Sequence, residues 1–233
     1  DDPRHVLENR RRYFARALRV GCRSTSSACK SGTRAVRTSL QAGTAGPGRG
    51  ALERESAIPS CDGLMTDETG VPLTMNFADC TPLLFCDPVH HAVAVSHGGW
   101  RGTAGNIAAE TLRRMGEAYG TKPDDVLAAI GPAIGPCCFE VGQEVVDAFA
   151  ELFSPLEMEE LTRPAGNKYY FDLPKANRLL LLRAGIRAEH LEDAGLCTYC
   201  RDDLFSRTEK PARPANRRAA IWRLSCGTKE TEP

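Results

Sequence analysis

Two apolar runs of strand length, Pro82–Asp87 (PLLFCD) and His91–His97 (HAVAVSH), flank an Asp87-Pro88 step. Apolar runs this short, bounded by turn residues, read as strands rather than helices. Asp-Pro marks a turn, because proline presets φ and aspartate bonds to the backbone beyond it. The pair therefore predicts a hairpin. With the turn centred on Pro88-Val89, Cys80 falls directly opposite His97. Their Cβ atoms would lie roughly 4.5–5.5 Å apart on one face of the ladder. A bulge or a longer loop would shift that register.

The text around the hairpin predicts alternating strands and helices. An amphipathic helix is expected over residues 3–19, with Pro3 in its first turn. Another is expected over 104–118, where Ile107, Ala108, Thr111, Leu112 and Met115 share a face and Gly120 ends it. Residues 126–130 read as a short buried strand leading into the irregular loop GPAIGPCC, with a helix following at 141–153. A strand at 168–171, a helix at 174–184, and strands at 190–193 and 218–224 complete the pattern. Residues 22–50, rich in Ser, Thr, Gly, Ala and Arg, read as an irregular segment with at most one short strand near Thr33–Thr38. The expected class is α/β in the mixed α+β sense: a single domain over 1–233, with mixed β-sheets flanked by helices.

Composition excludes more than it identifies. Thirty basic residues balance thirty acidic ones, which gives no support to a nucleic-acid partner. Residues 1–60 hold 12 Lys and Arg against 5 Asp and Glu, which reads as a solvated basic face. No apolar run is long enough to span a bilayer and no signal peptide is visible, so neither a membrane nor a secreted location is expected. Ten cysteines without such a signal point to a reducing, cytoplasmic setting, where thiols stay reduced or bind metal.

Around the hairpin mouth the residue types turn chemical. A cysteine opposite a histidine suits two ligands on one metal ion. Asp79 could orient the histidine or move a proton. Gly98 and Gly99 let backbone approach a ligand closely. Arg101, just before the expected helix, offers a guanidinium fork for a phosphate. Together, Cys80, His97, Asp79 and Arg101 are the candidate catalytic residues, suited to metal-assisted or nucleophilic chemistry on an anionic substrate.

The segments ADC before PLLFCDP, HGGWRG, GPAIGPCCFEVG, FDL with a following N and LL, and AGLCTYC resemble, in combination, the bacterial laccase-domain family. That family has been called polyphenol oxidase, peptidoglycan editing factor and purine nucleoside phosphorylase. The resemblance runs from about residue 2 to residue 224. It implies a mixed α/β domain with a metal centre, zinc with copper as the alternative. The ligands it implies are Cys80 and His97, plus a histidine from an N-terminal Q-V-H-G segment. The implied chemistry is phosphorolysis of adenosine, inosine and methylthioadenosine, with adenosine deamination at the same site. Arg101 would hold the phosphate; apart from the resemblance, Asn9 and Arg10 of the first helix read either as pocket-lining or as part of a solvated helix face. The implied partners are a purine nucleoside and phosphate, and the chain would be a monomer or a homodimer.

This sequence departs from the family pattern at two points. The position of the third ligand is Ser31, inside Cys29-Lys30-Ser31-Gly32. The second is 206–217, which replaces a segment the family writes differently; apart from these, the family's first strands are expected to have no counterpart here. Three functional readings follow: a metal-dependent purine nucleoside phosphorylase; a copper-type polyphenol oxidase or peptidoglycan-precursor hydrolase; and a metal-free binding module or inactive enzyme. Oxidation ranks below phosphorolysis, because five histidines do not form multi-copper clusters. Cys197-x-x-Cys200 is a weak zinc or redox signal without a second pair, and reads as structural. Cys137 and Cys138 sit in a loop that could border the site, with Cys138 a candidate substrate contact; buried thiols are the plainer account.

Overall fold

The hairpin forms the middle of a six-stranded mixed sheet. The computed structural model describes residues 27–28, 40–42, 61–69, 71, 73–201, 203–204, 206 and 220–224. The expected helix at 3–19, with Asn9 and Arg10, lies outside the described residues, as does Ser31. In chain order the strands are β1 (Ser27–Ala28), β2 (Leu40–Ala42), β3 (Gly63–Thr66), β4 (Leu73–Phe77), β5 (Thr81–Asp87) and β6 (Ala92–Gly98). They continue with β7 (Leu127–Ile130), β8 (Glu140–Val141), β9 (Thr162–Ala165), β10 (Lys168–Phe171), β11 (Leu191–Asp193) and β12 (Ala220–Leu224). The helices are α1 (Trp100–Ala104), α2 (Ile107–Tyr119), α3 (Gln143–Ala150), α4 (Pro155–Leu161) and α5 (Leu173–Arg183).

The large sheet runs β11-β7-β5-β6-β3-β2, and the smaller ones run β1-β4-β12 and β8-β10-β9. Strand alternation divides the core in two. Leu83, Phe85, Ala92 and Ala94 pack with Ile107, Leu112 and Met115 of α2 and with Leu180 and Leu181 of α5. On the other face Val93 and Val95 meet Leu73, Met75 and Phe77 of β4, with Leu84 and Cys86 packed alongside. This two-sided cover is why the hairpin strands carry apolar residues at consecutive positions. Phe85, Phe149 and Phe171 are wholly buried. Truncating any one to alanine would cost about 3–5 kcal/mol.

Local chemistry sets the helix ends. The helix expected at 104–118 is found as α2 at Ile107–Tyr119, preceded by the short α1. Asn106 takes a left-handed φ of 54°, and its side chain accepts from the Ala109 amide at 3.3 Å, so a new helix starts at Ile107. Gly120, with φ of 77°, ends it as expected. The Asp172 carboxylate accepts from the Lys175 amide and Pro174 occupies the first turn, which starts α5 at Leu173. Ser154 and Glu157 form a reciprocal capping box at α4, a helix the sequence reading did not place. Strands β3, β4, β8 and β9 were also not expected. The described residues of the segment 22–50 form two short strands where at most one was expected, β1 parallel to β4 and β2 parallel to β3; Thr33–Thr38 lie outside the described residues. Against the expectation of free or metal-bound thiols, the buried Cys61 is disulfide-bonded.

The register of the hairpin differs from expectation. Asp87 pairs with Ala92, so the loop holds four residues, Pro88–His91, rather than the two of a turn centred on Pro88-Val89. The buried Asp87 carboxylate accepts from the Val89 amide at 2.9 Å, the His90 amide at 3.0 Å and His90 Nδ1 at 2.8 Å. His91 then takes φ of 54° to re-enter the ladder. Burial pushes the Asp87 carboxyl up, but the donors around it outweigh burial and hold it below its ordinary value. Pro82, not Cys80, therefore faces His97. Cys80 lies one residue before β5 begins.

Candidate active site

Cys80 reaches the histidine by a bend rather than by cross-strand pairing. Residues 78–80 leave the strand, and Asp79 adopts a left-handed φ of 76°. Two distant segments hold that bend. The Ile134 amide donates to the Asp79 carbonyl at 2.8 Å, and the Thr198 hydroxyl donates to the Asp79 carboxylate at 2.7 Å. His97, at the end of β6, lies on the same face as Val93 and Val95, its ring 5.5 Å from that of Phe77. The meeting point of the two donors is defined by Gly99. A Cβ on Gly99 would lie 3.3 Å from Cys80 Sγ and 3.3 Å from His97 Cε1. Sulfur and imidazole converge on one spot that only a glycine leaves open.

His97 has an acidic neighbour that the sequence reading missed. Asp62 directly precedes β3, whose Gly63 pairs with Ser96, so the ladder carries Asp62 alongside His97. The His97 amide donates to the Asp62 carbonyl at 2.7 Å, and the Asp62 carboxylate stands 3.9 Å from His97 Nδ1. Burial lowers the His97 pKa, with the Asp62 charge opposing it. Burial likewise raises Asp62, with His97 opposing. Burial thus favours the neutral imidazole, the form that ligates metal. A thiol and a neutral imidazole converging on one point form a donor set that fits zinc or copper. The signal that would have found Asp62 is its place immediately before a strand paired with β6.

The two glycines after His97 have different roles. A Cβ on Gly98 would come within 2.9 Å of the Thr81 carbonyl and 3.1 Å of Asn177 Oδ1. The close approach at Gly98 is therefore to protein, whereas at Gly99 it is to the two donor side chains. Asn177 is completely buried. It accepts from Thr103 Oγ1 at 3.1 Å and donates to the Leu173 carbonyl at 2.9 Å, which ties α1 to α5 directly behind Gly98. It was read only as part of a motif, not as a positioning residue. Arg101 lies inside the first turn of α1 rather than ahead of a helix. It is exposed, with its guanidinium carbon 4.2 Å from the centre of the Trp100 ring. Among the described residues no carboxylate pairs with it.

Cys138 is grouped with Cys137, Cys197 and Cys200. Cys137 and Cys200 are exposed and the other two half-buried, which corrects the expectation of buried thiols. Crowding and burial push Cys137 up to about 11 and Cys138 higher still. At Cys197 backbone donors outweigh burial and lower it. Among the described residues no helix is long and apolar enough to cross a membrane.

A family model described as multi-copper polyphenol oxidoreductase laccase matches residues 1–222. The chain is 42% identical over 158 residues to the purine nucleoside phosphorylase YlmD of Geobacillus stearothermophilus, covering 68% of this chain and 58% of that protein. It is 31% identical over 222 residues to the purine nucleoside phosphorylase PA4543 of Pseudomonas aeruginosa, covering 95% of this chain and 82% of that one. A third relative, from an unknown prokaryote, is named adenosine deaminase RL5 and is 39% identical, covering 66% of this chain and 58% of that one. Among solved structures, that of YlmD from Geobacillus stearothermophilus superposes with a TM-score of 0.78 at 37% identity, covering 88% of this chain and 75% of that one. The Bacillus licheniformis protein YfiH gives 0.78 at 33% identity, with coverages of 88% and 76%. The chain thus spans under two thirds of the length of YlmD.

Proposed function

The chain belongs to the family described as multi-copper polyphenol oxidoreductase laccase, and on that premise we propose that it is a purine nucleoside phosphorylase centred on Cys80 and His97. The observation that carries the reading is the convergence of Cys80 Sγ and His97 Cε1 on Gly99, two residues before the exposed Arg101. The names of the relatives support the same class of reaction.

Cys80 and His97 would hold the metal, zinc in the first instance and copper as the alternative. The third position implied by the family resemblance, Ser31, is outside the described residues. When bound, the metal supplies a Lewis acid at the substrate. The chain's own residues do the remainder. Arg101, exposed and braced on Trp100, offers two parallel N–H donors to a phosphate dianion and fixes it for attack on the anomeric carbon. As the C–N bond breaks and the phosphate oxygen bonds to the anomeric carbon, the purine leaves with the bonding pair and takes up, through solvent, the proton that hydrogenphosphate gives up. Asp79 holds Cys80 in place through the bend, and Asp62 orients the imidazole from its Nδ1 side. Gly99 leaves room for the two donors, and Gly98 lets the chain pack against Thr81 and Asn177 behind them.

Release of hypoxanthine from inosine, with phosphate present and absent, tests the proposal. Phosphate-dependent release that Cys80→Ala abolishes is the expected result; unchanged release in Cys80→Ala would refute the mechanism. The relative named adenosine deaminase favours a second activity at the same site. Ammonia released from adenosine without phosphate would reveal it.

A further inference from the structure

Four sulfurs separated by the length of two loops gather at one place. Cys137 Sγ lies 3.4 Å from Cys200 Sγ, and Cys138 Sγ also lies 3.4 Å from Cys200 Sγ. The Gly135 amide donates to Cys197 Sγ at 3.2 Å. All four sulfurs fall within 4.8 Å of one another. Sulfurs placed about 2.3 Å from a tetrahedral zinc ion are about 3.8 Å apart, inside the observed range.

Adjacent cysteines usually diverge, and a tight turn prevents that here. The Cys138 amide donates to the Gly135 carbonyl at 3.0 Å and the Phe139 amide to the same carbonyl at 2.9 Å, so residues 135–139 curl around Gly135. A Cβ on Gly135 would meet Cys197 Cβ at 3.3 Å, Cys137 Sγ at 3.5 Å and Cys197 Sγ at 3.6 Å. The glycine thus leaves the room that the sulfurs share. The second loop is locked in register by backbone bonds. Ala133 bridges Cys197, the Ala133 amide donates to the Leu196 carbonyl at 3.2 Å, and the Thr198 amide donates to the Ala133 carbonyl at 2.9 Å. The Arg201 amide then donates to the Cys197 carbonyl at 3.1 Å, closing the Cys197-x-x-Cys200 turn. A disulfide needs one partner per sulfur, whereas Cys200 is equidistant from two. Convergence of four sulfurs with an amide aimed at one of them suits a cation.

We propose that Cys137, Cys138, Cys197 and Cys200 form a tetrathiolate zinc site, separate from the Cys80–His97 pair. Zinc binding displaces the thiol protons to solvent and leaves four thiolates around a closed, four-coordinate ion, the arrangement of a structural rather than a catalytic site. Its place in the fold gives it a task. The loop with Cys137 and Cys138 supplies the Ile134 amide to Asp79, and the loop with Cys197 and Cys200 supplies the Thr198 hydroxyl. Zinc would cross-link the two segments that hold the bend before Cys80.

Metal analysis of the purified protein, run in parallel with Cys80→Ser/His97→Ala and with Cys197→Ser/Cys200→Ser, tests this. The Cys80→Ser/His97→Ala protein is expected to retain one zinc per chain, and the Cys197→Ser/Cys200→Ser protein to hold one fewer than the unsubstituted chain. As a readout that does not depend on the folding of the Cys197→Ser/Cys200→Ser variant, cobalt is exchanged into the Cys80→Ser/His97→Ala protein. Thiolate-to-cobalt charge transfer with tetrahedral d–d bands is the expected spectrum. Four thiols that titrate freely in a zinc-free, folded protein would overturn the proposal. So would a Cys200 disulfide in non-reducing peptide maps, or iron in place of zinc. Every readout is independent of phosphorolysis, so failure here and failure of the phosphorylase reading are distinguishable.

Discussion

Replacing Gly99 with alanine separates the site from the fold. Gly99 has φ of −69° and ψ of 163°, an extended conformation that alanine adopts without strain. The added methyl would restrict the unfolded chain, a gain of about 0.4–1 kcal/mol. Against this stand contacts at 3.3 Å to Cys80 Sγ and His97 Cε1 and 3.6 Å to His97 Nδ1. These are tighter than ordinary carbon contacts by only a few tenths of an ångström, and side chains can yield that much. Stability is therefore expected to change by less than about 1 kcal/mol. The two groups that yield are the donors of the site. Misplacement by 1 Å can cost about a hundredfold, so a displacement of a few tenths is expected to lower phosphorolysis about tenfold. Gly98→Ala is the control. Its methyl would strike the Thr81 backbone carbonyl at 2.9 Å, which cannot step aside. It is expected to lose about 1–3 kcal/mol. Urea unfolding beside hypoxanthine release measures both effects. Full activity in a well-folded Gly99→Ala protein would refute the assignment of Gly99 as the meeting point.

Arg101→Ala is expected to raise KM for phosphate at least tenfold while leaving the urea midpoint unchanged, since the side chain is exposed; initial rates against phosphate concentration decide it. Asn177→Ala removes a fully buried amide and strands the Thr103 hydroxyl, an expected loss of about 1–3 kcal/mol by denaturant unfolding. In metal-free protein His97 titrates below the ordinary histidine value because it is buried, with Asp62 opposing that shift. The unfolded state then binds the proton more readily, so this contribution is complete above pH of about 6.5 and is lost as pH falls from there towards the folded pKa. Asp62→Asn removes the opposing charge, and NMR titration should show His97 shifted further down; an upward shift would contradict the pairing.

Local pattern carried most of the secondary structure and little of the site. The strands expected at 82–87 and 91–97 are found at 81–87 and 92–98, and the strand at 168–171 is found where it was expected. These segments announce themselves through apolar runs and flanking turn residues. The hairpin register was not legible, because the loop length depends on what Asp87 does with its carboxylate. Two amides and an imidazole draw four residues into the turn where two were expected. Asp62 and Asn177 were invisible for a different reason. Each becomes meaningful only through a partner far along the chain, Asp62 through the β3–β6 ladder and Asn177 through α1. The cysteine cluster is the extreme case. Its halves are about sixty residues apart, and neither Cys137-Cys138 nor Cys197-x-x-Cys200 has a metal-site signature alone.

The shifted register also explains why the cysteine is held as it is. Had Cys80 paired across from His97, β5 would have fixed its position through ladder bonds. One residue outside the strand, it depends on the left-handed backbone of Asp79, a conformation that costs a non-glycine residue about 1–2 kcal/mol. A glycine at this position would relieve that strain but forfeit the carboxylate that accepts from Thr198. A charge-assisted bond of this kind is worth about 1.5–3 kcal/mol, enough to offset the strain. Among the described residues Ile134 and Thr198 brace the bend, and both belong to the loops that carry the four clustered cysteines. Control over Cys80 has passed from the hairpin to the loops that gather those four thiols, so losing their link should misplace the Cys80 thiol before it unfolds the sheet.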